Sequence, residues 1–325
     1  MKPVKIVGLG KYLPPKKLTN SDLEKIVDTS DEWITTRTGI KERRIAKGMS
    51  SSELAHKASK QALKNAGLGA DDLDLIIVAT ITPDNFFPST ACRLQSLLKA
   101  KKAAAFDISA ACSGFVYGLT CAWQMIGAGL YKNVLVVGSE VLSSVTDWQD
   151  RSTCVLFGDG AGAAVLTAAD QKSFLSSHLG ADGSRADLLN IPAGGSRMPT
   201  SHQTIDDKLH CIKMKGNELF RVAVRVMVDS AKVALAEAGL KADDLDMLVP
   251  HQANKRIVDA VVKTLKIKDK VYFNLSRYGN MSSASCAVAL CEACQESKIK
   301  KGDIVVLDTF GGGLVWGSCV IKWAL

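Results

Sequence analysis

Residues 60–75 read KQALKNAGLGADDLDL and residues 232–247 read KVALAEAGLKADDLDM, so that eleven of the sixteen positions are identical at an offset of 172. Each copy has the apolar spacing of an amphipathic helix, followed by a glycine, an Asp-rich turn and a short apolar strand. The strands are IIVAT at 76–80 and MLVPH at 247–251. The chain is therefore predicted to contain one supersecondary unit twice.

The match continues beyond these stretches. FDIS (106–109) resembles FNLS (273–276), and NVLVVGSE (133–140) resembles DIVVLDTF (303–310). Strands that alternate with helices predict parallel sheets with helices on their faces. We therefore predict an α/β fold of two duplicated halves, 1–170 and 171–325, stacked as five α/β/α/β/α layers about a pseudo-two-fold axis.

Size and composition limit the possible classes of protein. The 325 residues are 47% hydrophobic and 23% charged, enough for one large soluble domain or two closely packed ones. No apolar run reaches the roughly 18 residues of a spanning helix, and the N-terminus has no signal-like apolar segment, so a cytoplasmic location is expected. The net charge of +8 includes no long basic run, which argues against nucleic acid but leaves room for an anionic partner.

Three polar side chains follow predicted strands. Open α/β sheets bind ligands beyond the carboxyl ends of their strands, and Cys112, His251 and Asn280 all lie at such ends. Cys112 also precedes a helix-like stretch, where a helix N-terminus is expected to lower the thiol pKa. Each residue alone has an ordinary alternative: a buried apolar cysteine, a core histidine and a turn asparagine. Their shared position in a duplicated frame favours a common site.

The remaining motifs give weaker evidence about function. The nine cysteines are an odd number in a large chain and are interpreted as reduced thiols, with Cys291 and Cys294 on a packed helix face rather than in a metal site. FGDGAGAAVL (157–166) lacks the spacing of a dinucleotide-binding loop. FGGGLVWGS (310–318) follows a predicted strand, and its glycines favour an oxyanion role over a simple tight turn.

The motifs of this chain, in order, resemble those of the β-ketoacyl-acyl carrier protein synthase III family within the thiolase superfamily. The resemblance runs end to end and includes LTN (18–20), DTSDEWITTRTGIKERR (28–44), FPSTAC (87–92), FDISAACSGF (106–115), DRSTCVLFGDGAGAAVL (150–166), MKGNELF (214–220), PHQAN (250–254), RYGN (277–280) and FGGGLVWGS.

This resemblance implies a thiolase-like fold and a role for particular residues. Cys112 would accept the acyl group, His251 and Asn280 would complete the triad, and the N–H groups of Cys112 and Gly312 would hold the oxyanion. Coenzyme A would be bound by Thr29, Trp33, Arg37, Arg151, Asn217 and Asn254. Phe87 would reach the acyl pocket of the partner in a homodimer, and acyl carrier protein would dock on Arg221, Arg256 and Lys263.

The implied reaction is the decarboxylative condensation of an acyl-coenzyme A, with acetyl-coenzyme A expected, and malonyl-acyl carrier protein, which initiates fatty-acid synthesis. Coenzyme A thioester is then a substrate, and no separate cofactor, metal, membrane or nucleic acid is expected. A related Cys-His-Asn acyltransferase of a secondary-metabolite or quinolone pathway stays open, as does a non-catalytic acyl-carrier or acyl-coenzyme A binding protein. Met281 and Ser152 depart from the usual Thr and Gly of the family.

Overall fold

The computed structural model describes residues 1–325. Its strands are β1 Val4–Tyr12, β2 Lys17–Thr19, β3 Glu42–Arg44, β4 Leu75–Ala79, β5 Ala104–Ile108, β6 Asn133–Val141, β7 Asp159–Ala168, β8 Phe174–Ala181, β9 Leu189–Asn190, β10 Lys213–Met214, β11 Met247–Pro250, β12 Ile304–Gly311 and β13 Val315–Lys322. Its helices are α1 Asn20–Leu23, α2 Asp31–Thr38, α3 Ser51–Ala66, α4 Thr90–Leu98, α5 Gly114–Gly127, α6 Arg151–Cys154, α7 His202–Asp206, α8 Gly216–Glu237, α9 Lys255–Leu265, α10 Leu275–Tyr278 and α11 Ser283–Gln295.

Two main sheets form the body, with strand orders β1-β7-β6-β4-β5 and β11-β12-β13-β8. In the first sheet β4 runs parallel to β5 and β6, whereas β7 runs antiparallel to β1 and β6. In the second, only the β11–β12 pair is parallel. The expectation of parallel sheets was therefore wrong in part, because each half adds hairpin-like antiparallel strands to a parallel centre.

The layers are set by where apolar side chains are buried. One core lies between the sheets and includes residues of α5 and α11, such as Phe115 and Leu290. A second core packs α8 and α9 on the outer face of the second sheet, and a third packs α3 and α4 on the outer face of the first. The five-layered α/β/α/β/α prediction is confirmed. The sheets divide the chain between Ala168 and Phe174, and the predicted boundary after residue 170 falls in that connection.

The duplicated stretches fold alike. Helix α3 ends at Gly67, with φ +66°, and the chain after α8 turns at Gly239, with φ +73°. Each glycine takes the left-handed conformation that stops a helix at little cost. A 3₁₀ turn follows in both copies, at Ala70–Asp72 and Ala242–Asp244, before β4 or β11 begins.

One predicted strand is absent. FNLS (273–276) forms no ladder; only Val271, just before it, bridges Leu248. The backbone N–H groups of Asn274 and Leu275 bond instead to the side-chain oxygen of Gln252, both at 3.2 Å. Because the side chain takes these donors, the segment turns into the short helix α10.

The register of the last duplicated strand also differs by one residue from the sequence alignment. β4 pairs Leu75 with Val134, whereas β11 pairs Met247 with Val305. Since Leu75 and Met247 are equivalent, the equivalents of β6 residues in β12 lie 171 residues later, not 170. Glu140 therefore corresponds to Gly311.

No helix of the structure is both long enough and apolar enough to cross a membrane.

Candidate active site

A cavity of about 630 Å³ opens where the two halves meet, and Cys112, His251 and Asn280 all lie in its wall. His251 follows β11, and its N–H donates to the carbonyl of Asp308 on β12 at 2.8 Å. The rest of the wall comes mainly from α2, the segment 152–157, β9, β10, the N-terminal ends of α8 and α9, and the end of β12. The three residues nominated from strand ends therefore share one cavity although 139 residues separate Cys112 from His251.

The Cys112 thiol is presented by a strained turn. Ala111 has φ +42°, a conformation that costs a non-glycine residue about 1 kcal/mol or more. Cys112 follows in a 3₁₀ turn, Ala111–Ser113, that leads directly into α5. A Cβ at Gly311 would lie 2.6 Å from the Cys112 nitrogen. Only glycine there lets the end of β12 lie against the cysteine.

Burial determines the charge states of Cys112 and His251. It raises the pKa of the Cys112 thiol to about 12, against a smaller lowering by the Ser282 hydroxyl, and it lowers the pKa of His251 to about 3. The expectation of a lowered thiol pKa was wrong, because the loss of hydration at a side chain only 7% exposed exceeds the effect of the helix terminus. In the resting protein the cysteine is a thiol and the histidine a neutral imidazole.

The amide of Asn280 is oriented by its neighbours. The N–H of Ser282 donates to Asn280 Oδ1 at 2.8 Å. The Asn280 backbone is also fixed, since its N–H donates to the carbonyl of Leu156 and its own carbonyl accepts from Gly158, both at 2.9 Å. With Oδ1 occupied, the NH₂ group of Asn280 is the part of the amide left to bind another molecule.

The structural counterpart of Cys112 in the second half is Ser283 rather than Asn280. Ser282, like Ala111, has positive φ, at +47°. The N–H of Ser113 donates to Ala110, and 171 residues later that of Ala284 donates to Met281. Asn280 lies three residues before Ser283. It reaches the cavity because it directly follows α10 and Gly279.

A second cavity, of about 350 Å³, lies on the other side of Cys112. Cys112, Phe157 and Leu189 border both cavities, so the thiol stands at their junction. The remaining wall of the smaller cavity is mostly apolar, and it includes Ile81, Leu142, Ile191, Ile212 and Val315. Sequence reasoning missed these residues, because each reads as an ordinary core position and nothing in its neighbours marks a void.

Several of the predicted nucleotide-binding residues lie at or near the mouth of the larger cavity. The Arg151 guanidinium lies 4.9 Å from the centre of the Trp33 ring and donates to the carbonyl of Asp28 at 2.8 Å. Two stacking contacts of about 3.5 Å need about 7 Å between the groups, so a planar base enters between them only if they separate. Asn254 caps α9 and donates to the carbonyl of Arg37 at 3.2 Å, which joins α9 to α2.

Not every predicted residue lies in the wall of the larger cavity. Arg37, Asn217 and Asn254 do, whereas Thr29 and Arg151 do not, and the Thr29 hydroxyl is buried without a partner. Gly312 borders the smaller cavity instead. Phe87 lines neither, since 87% of its surface is exposed on the loop before α4.

The basic residues predicted for docking lie at or near the same mouth. Arg221 on α8 and Arg256 on α9 border the larger cavity, and Arg256 stacks on Phe220 at 5.5 Å. Lys263 is exposed seven residues further along α9, about 10 Å away on the same face. The three side chains therefore form a basic edge, although their roles stay predictions.

The two departures from the family pattern differ in consequence. Met281 is fully buried and packs with Leu13 and Tyr278, so it is turned into the core. Ser152 borders the larger cavity, and its hydroxyl donates to the Asp150 carboxylate at 2.6 Å. Only Ser152 can contact a ligand in that cavity directly.

Comparison with known proteins places the site in a family. Residues 106–183 match the family model for 3-oxoacyl-acyl-carrier-protein synthase III, and residues 235–323 match the model for its C-terminal part. The β-ketoacyl-acyl-carrier-protein synthase III of Caldanaerobacter subterraneus subsp. tengcongensis is 59% identical over 98% of this chain and 97% of its own length.

Solved structures agree with this placement. The crystal structure of 3-oxoacyl-acyl-carrier-protein synthase III from Aquifex aeolicus is 52% identical, with a TM-score of 0.92 over 98% of this chain and all of its own. The priming beta-ketosynthase of the R1128 polyketide pathway has the same TM-score at 34% identity, over 99% of this chain and 97% of its own.

Proposed function

Because this chain belongs to the β-ketoacyl-acyl carrier protein synthase III family, we propose that it condenses an acyl-coenzyme A, such as acetyl-coenzyme A, with malonyl-acyl carrier protein and so initiates fatty-acid synthesis. The observation that carries the proposal is the position of Cys112 at the junction of two cavities. The larger, of about 630 Å³, carries polar side chains such as Arg37, Asn217 and Asn254 that can hold a thioester arm, and the smaller is lined mostly by apolar side chains, which suit an acyl chain.

In the first half-reaction the sulfur of Cys112 attacks the thioester carbonyl of acyl-coenzyme A. Its proton passes to the neutral imidazole of His251, and the His251 imidazolium returns that proton to the coenzyme A thiolate as it leaves, so that His251 is neutral again. Backbone N–H groups at Cys112 and Gly312 stabilise the tetrahedral oxyanion. An acyl-Cys112 thioester and free coenzyme A are the products.

In the second half-reaction the malonyl group loses carbon dioxide, and the electron pair of that bond forms an enolate. The NH₂ group of Asn280 and the N–H of neutral His251 donate to the thioester oxygen as it becomes negative. The resulting carbanion attacks the acyl carbonyl, and the Cys112 sulfur leaves. No step uses a bound cofactor or metal.

Assembly and location complete the proposal. We infer a homodimer in which Phe87 of one subunit reaches the smaller cavity of the other, since Phe86 and Phe87 are 86% and 87% exposed. A cytoplasmic location is consistent with nine cysteines that form no disulfide.

The experiment separates the half-reactions. Cys112→Ala should abolish transfer of radiolabelled acyl groups to the protein and leave measurable decarboxylation of malonyl-acyl carrier protein. His251→Ala and Asn280→Ala should lower decarboxylation by roughly a hundredfold or more. Cys92→Ala, at an exposed cysteine of α4, is the matched control and should change neither. A labelled peptide that lacks Cys112 would refute the assignment.

The alternative of a secondary-metabolite acyltransferase is less favoured, because the polyketide priming enzyme is the less similar relative, at 34% identity against 52% for the Aquifex enzyme. A panel of acyl-coenzyme A starters with malonyl-acyl carrier protein distinguishes the two. A strong preference for starters that fatty-acid synthesis does not use would support the alternative.

A further inference from the structure

A carboxyl group that the reaction does not use lies beneath the site. Glu140, near the end of β6, is completely buried. Its Oε2 atom accepts three hydrogen bonds from the end of β4 and the residues that follow. The donors are the Thr80 hydroxyl at 3.1 Å, the Ile81 N–H at 3.1 Å and the Thr82 hydroxyl at 2.8 Å.

Its other oxygen faces a hydroxyl that has only one hydrogen to give. Ser283 Oγ lies 3.0 Å from Glu140 Oε1 and 2.8 Å from the carbonyl of Ala79. A carbonyl can only accept, so the Ser283 hydrogen belongs to that shorter bond. The Ser283 N–H lies at the long distance of 3.5 Å from the same oxygen. The closer contact, between Ser283 Oγ and Oε1, is a hydrogen bond only if Oε1 carries a proton and donates it. Glu140 takes part in none of the ion pairs of the structure.

Glu140 thereby connects β4 to the beginning of α11. Ser283 is the first residue of α11, and the preceding Ser282 donates the N–H bond that orients the Asn280 amide. The Ser282 side chain lies beside both Glu140 and the Cys112 thiol, although its hydroxyl makes no hydrogen bond of normal geometry. A shift of Ser283 would therefore move the donor that holds Asn280.

The duplication makes the same contact twice with different residues. At the end of β12 the backbone of Gly311 lies against Cys112, and at the equivalent place on β6 the Glu140 side chain lies against Ser283. Beside Cys112 the two backbones are so close that no side chain fits, whereas beside Ser283 the equivalent strand position carries a carboxyl group.

We propose that Glu140 is a protonated carboxylic acid in the folded protein and a positioning residue for Asn280, whose amide it holds in place for the decarboxylation and condensation step. This inference rests on the function proposed above. It assigns to the packing of β4, β6 and α11 a role in the second half-reaction alone.

Two further observations agree with it. Burial without a cation raises the pKa of Glu140 above its ordinary value, against the lowering by its hydrogen bonds. An ionised Glu140 would also oppose formation of the nearby Cys112 thiolate. A neutral acid offers the same hydrogen bonds without that repulsion.

Infrared difference spectroscopy tests the protonation state directly. Subtraction of the Glu140→Gln spectrum from that of the wild type should show the C=O stretch of a protonated carboxylic acid. Glu292→Gln is the matched control, because Glu292 is also buried with several donors but pairs with Lys11 and Arg277. Its difference spectrum should show carboxylate bands. Carboxylate bands for Glu140 as well would overturn the proposal.

Kinetics test the positioning role. Glutamine can donate to Ser283 and accept from the three other groups, so Glu140→Gln should keep malonyl decarboxylation within about threefold of wild type. Glu140→Leu should lower it by about tenfold to a hundredfold, because a small misplacement of a catalytic group has that cost. Acylation of Cys112 should change by less than about threefold in both.

The outcomes are distinguishable. Equal loss of acylation and decarboxylation in folded Glu140→Leu, or a Glu140→Gln variant as impaired as Glu140→Leu, contradicts the positioning role. If Glu140→Leu does not fold, the kinetics of Glu140→Gln still test the positioning role and the infrared spectra still test the protonation state. Wild-type protein that fails to condense malonyl-acyl carrier protein refutes the proposed function, whereas the infrared result stands independently of it.

Discussion

At the scale of single residues, the proposed nucleophile Cys112 and the proposed base His251 are both uncharged at rest. A thiol with a pKa raised to about 12 is mostly protonated at pH 7, and a histidine with a pKa lowered to about 3 is mostly neutral there. Removal of both side chains from water disfavours their charged forms. In the proposed mechanism, proton transfer from Cys112 to His251 is therefore coupled to attack on the substrate, whose binding excludes water from the cavity.

This charge state predicts a particular pH dependence of Cys112 alkylation by iodoacetamide. While the pH is below a thiol pKa of about 12, the thiolate fraction rises about tenfold per pH unit. The rate should therefore still increase beyond about pH 10, well past the ordinary thiol pKa of about 8.5. Peptide mapping by mass spectrometry follows Cys112 separately, and Cys112→Ala supplies the background. A plateau reached by about pH 10 would show that the thiol pKa is not raised.

At the scale of elements, features set by local sequence could be predicted, whereas features set by distant residues could not. The helix, glycine turn and strand of 60–80 and 232–251 were predictable, because the apolar period and the glycine stops are local signals. The strand at 273–276 was not, since a side chain 22 residues away, that of Gln252, takes its N–H groups. The smaller cavity and the raised Cys112 pKa depend on burial, which no single segment encodes.

The helix α8 offers a paired test of carrier-protein docking. Arg221 lies at the cavity mouth, whereas Lys232 is exposed eleven residues further along the same helix, about 16 Å away. Arg221→Ala should raise the apparent KM for malonyl-acyl carrier protein by about twofold to fivefold, as the loss of one exposed charge contact allows. That increase should shrink at high salt.

Lys232→Ala removes the same charge from the same helix and should leave this KM unchanged. The KM for acyl-coenzyme A reports on the nucleotide site and should change less than that for the carrier in Arg221→Ala. Equal effects of the two substitutions would assign the change to net charge rather than to a docking surface.

At the scale of the whole molecule, the two halves supply different parts of one site. The first half contributes Cys112, the proposed nucleophile, the second contributes His251 and Asn280, and both halves line the smaller cavity. The two pseudo-equivalent contacts differ, since Gly311 lies against Cys112 at one and the Glu140 side chain lies against Ser283 at the other. In the proposed dimer, Phe87 of the partner subunit reaches the smaller cavity, whose wall includes Ile81.

Mixed dimers test this exchange of Phe87. Phe87→Ala should enlarge the acyl cavity and shift the preference among acyl-coenzyme A starters toward longer chains, whereas Phe86→Ala, at the adjacent exposed ring, should not. In a dimer of Cys112→Ala with Phe87→Ala subunits, the one intact Cys112 belongs to the subunit without Phe87. If Phe87 acts across the interface, this dimer has wild-type starter preference, because the Cys112→Ala subunit supplies the ring. If Phe87 acts within its own subunit, the mixed dimer has the preference of Phe87→Ala, and the proposed arrangement is wrong.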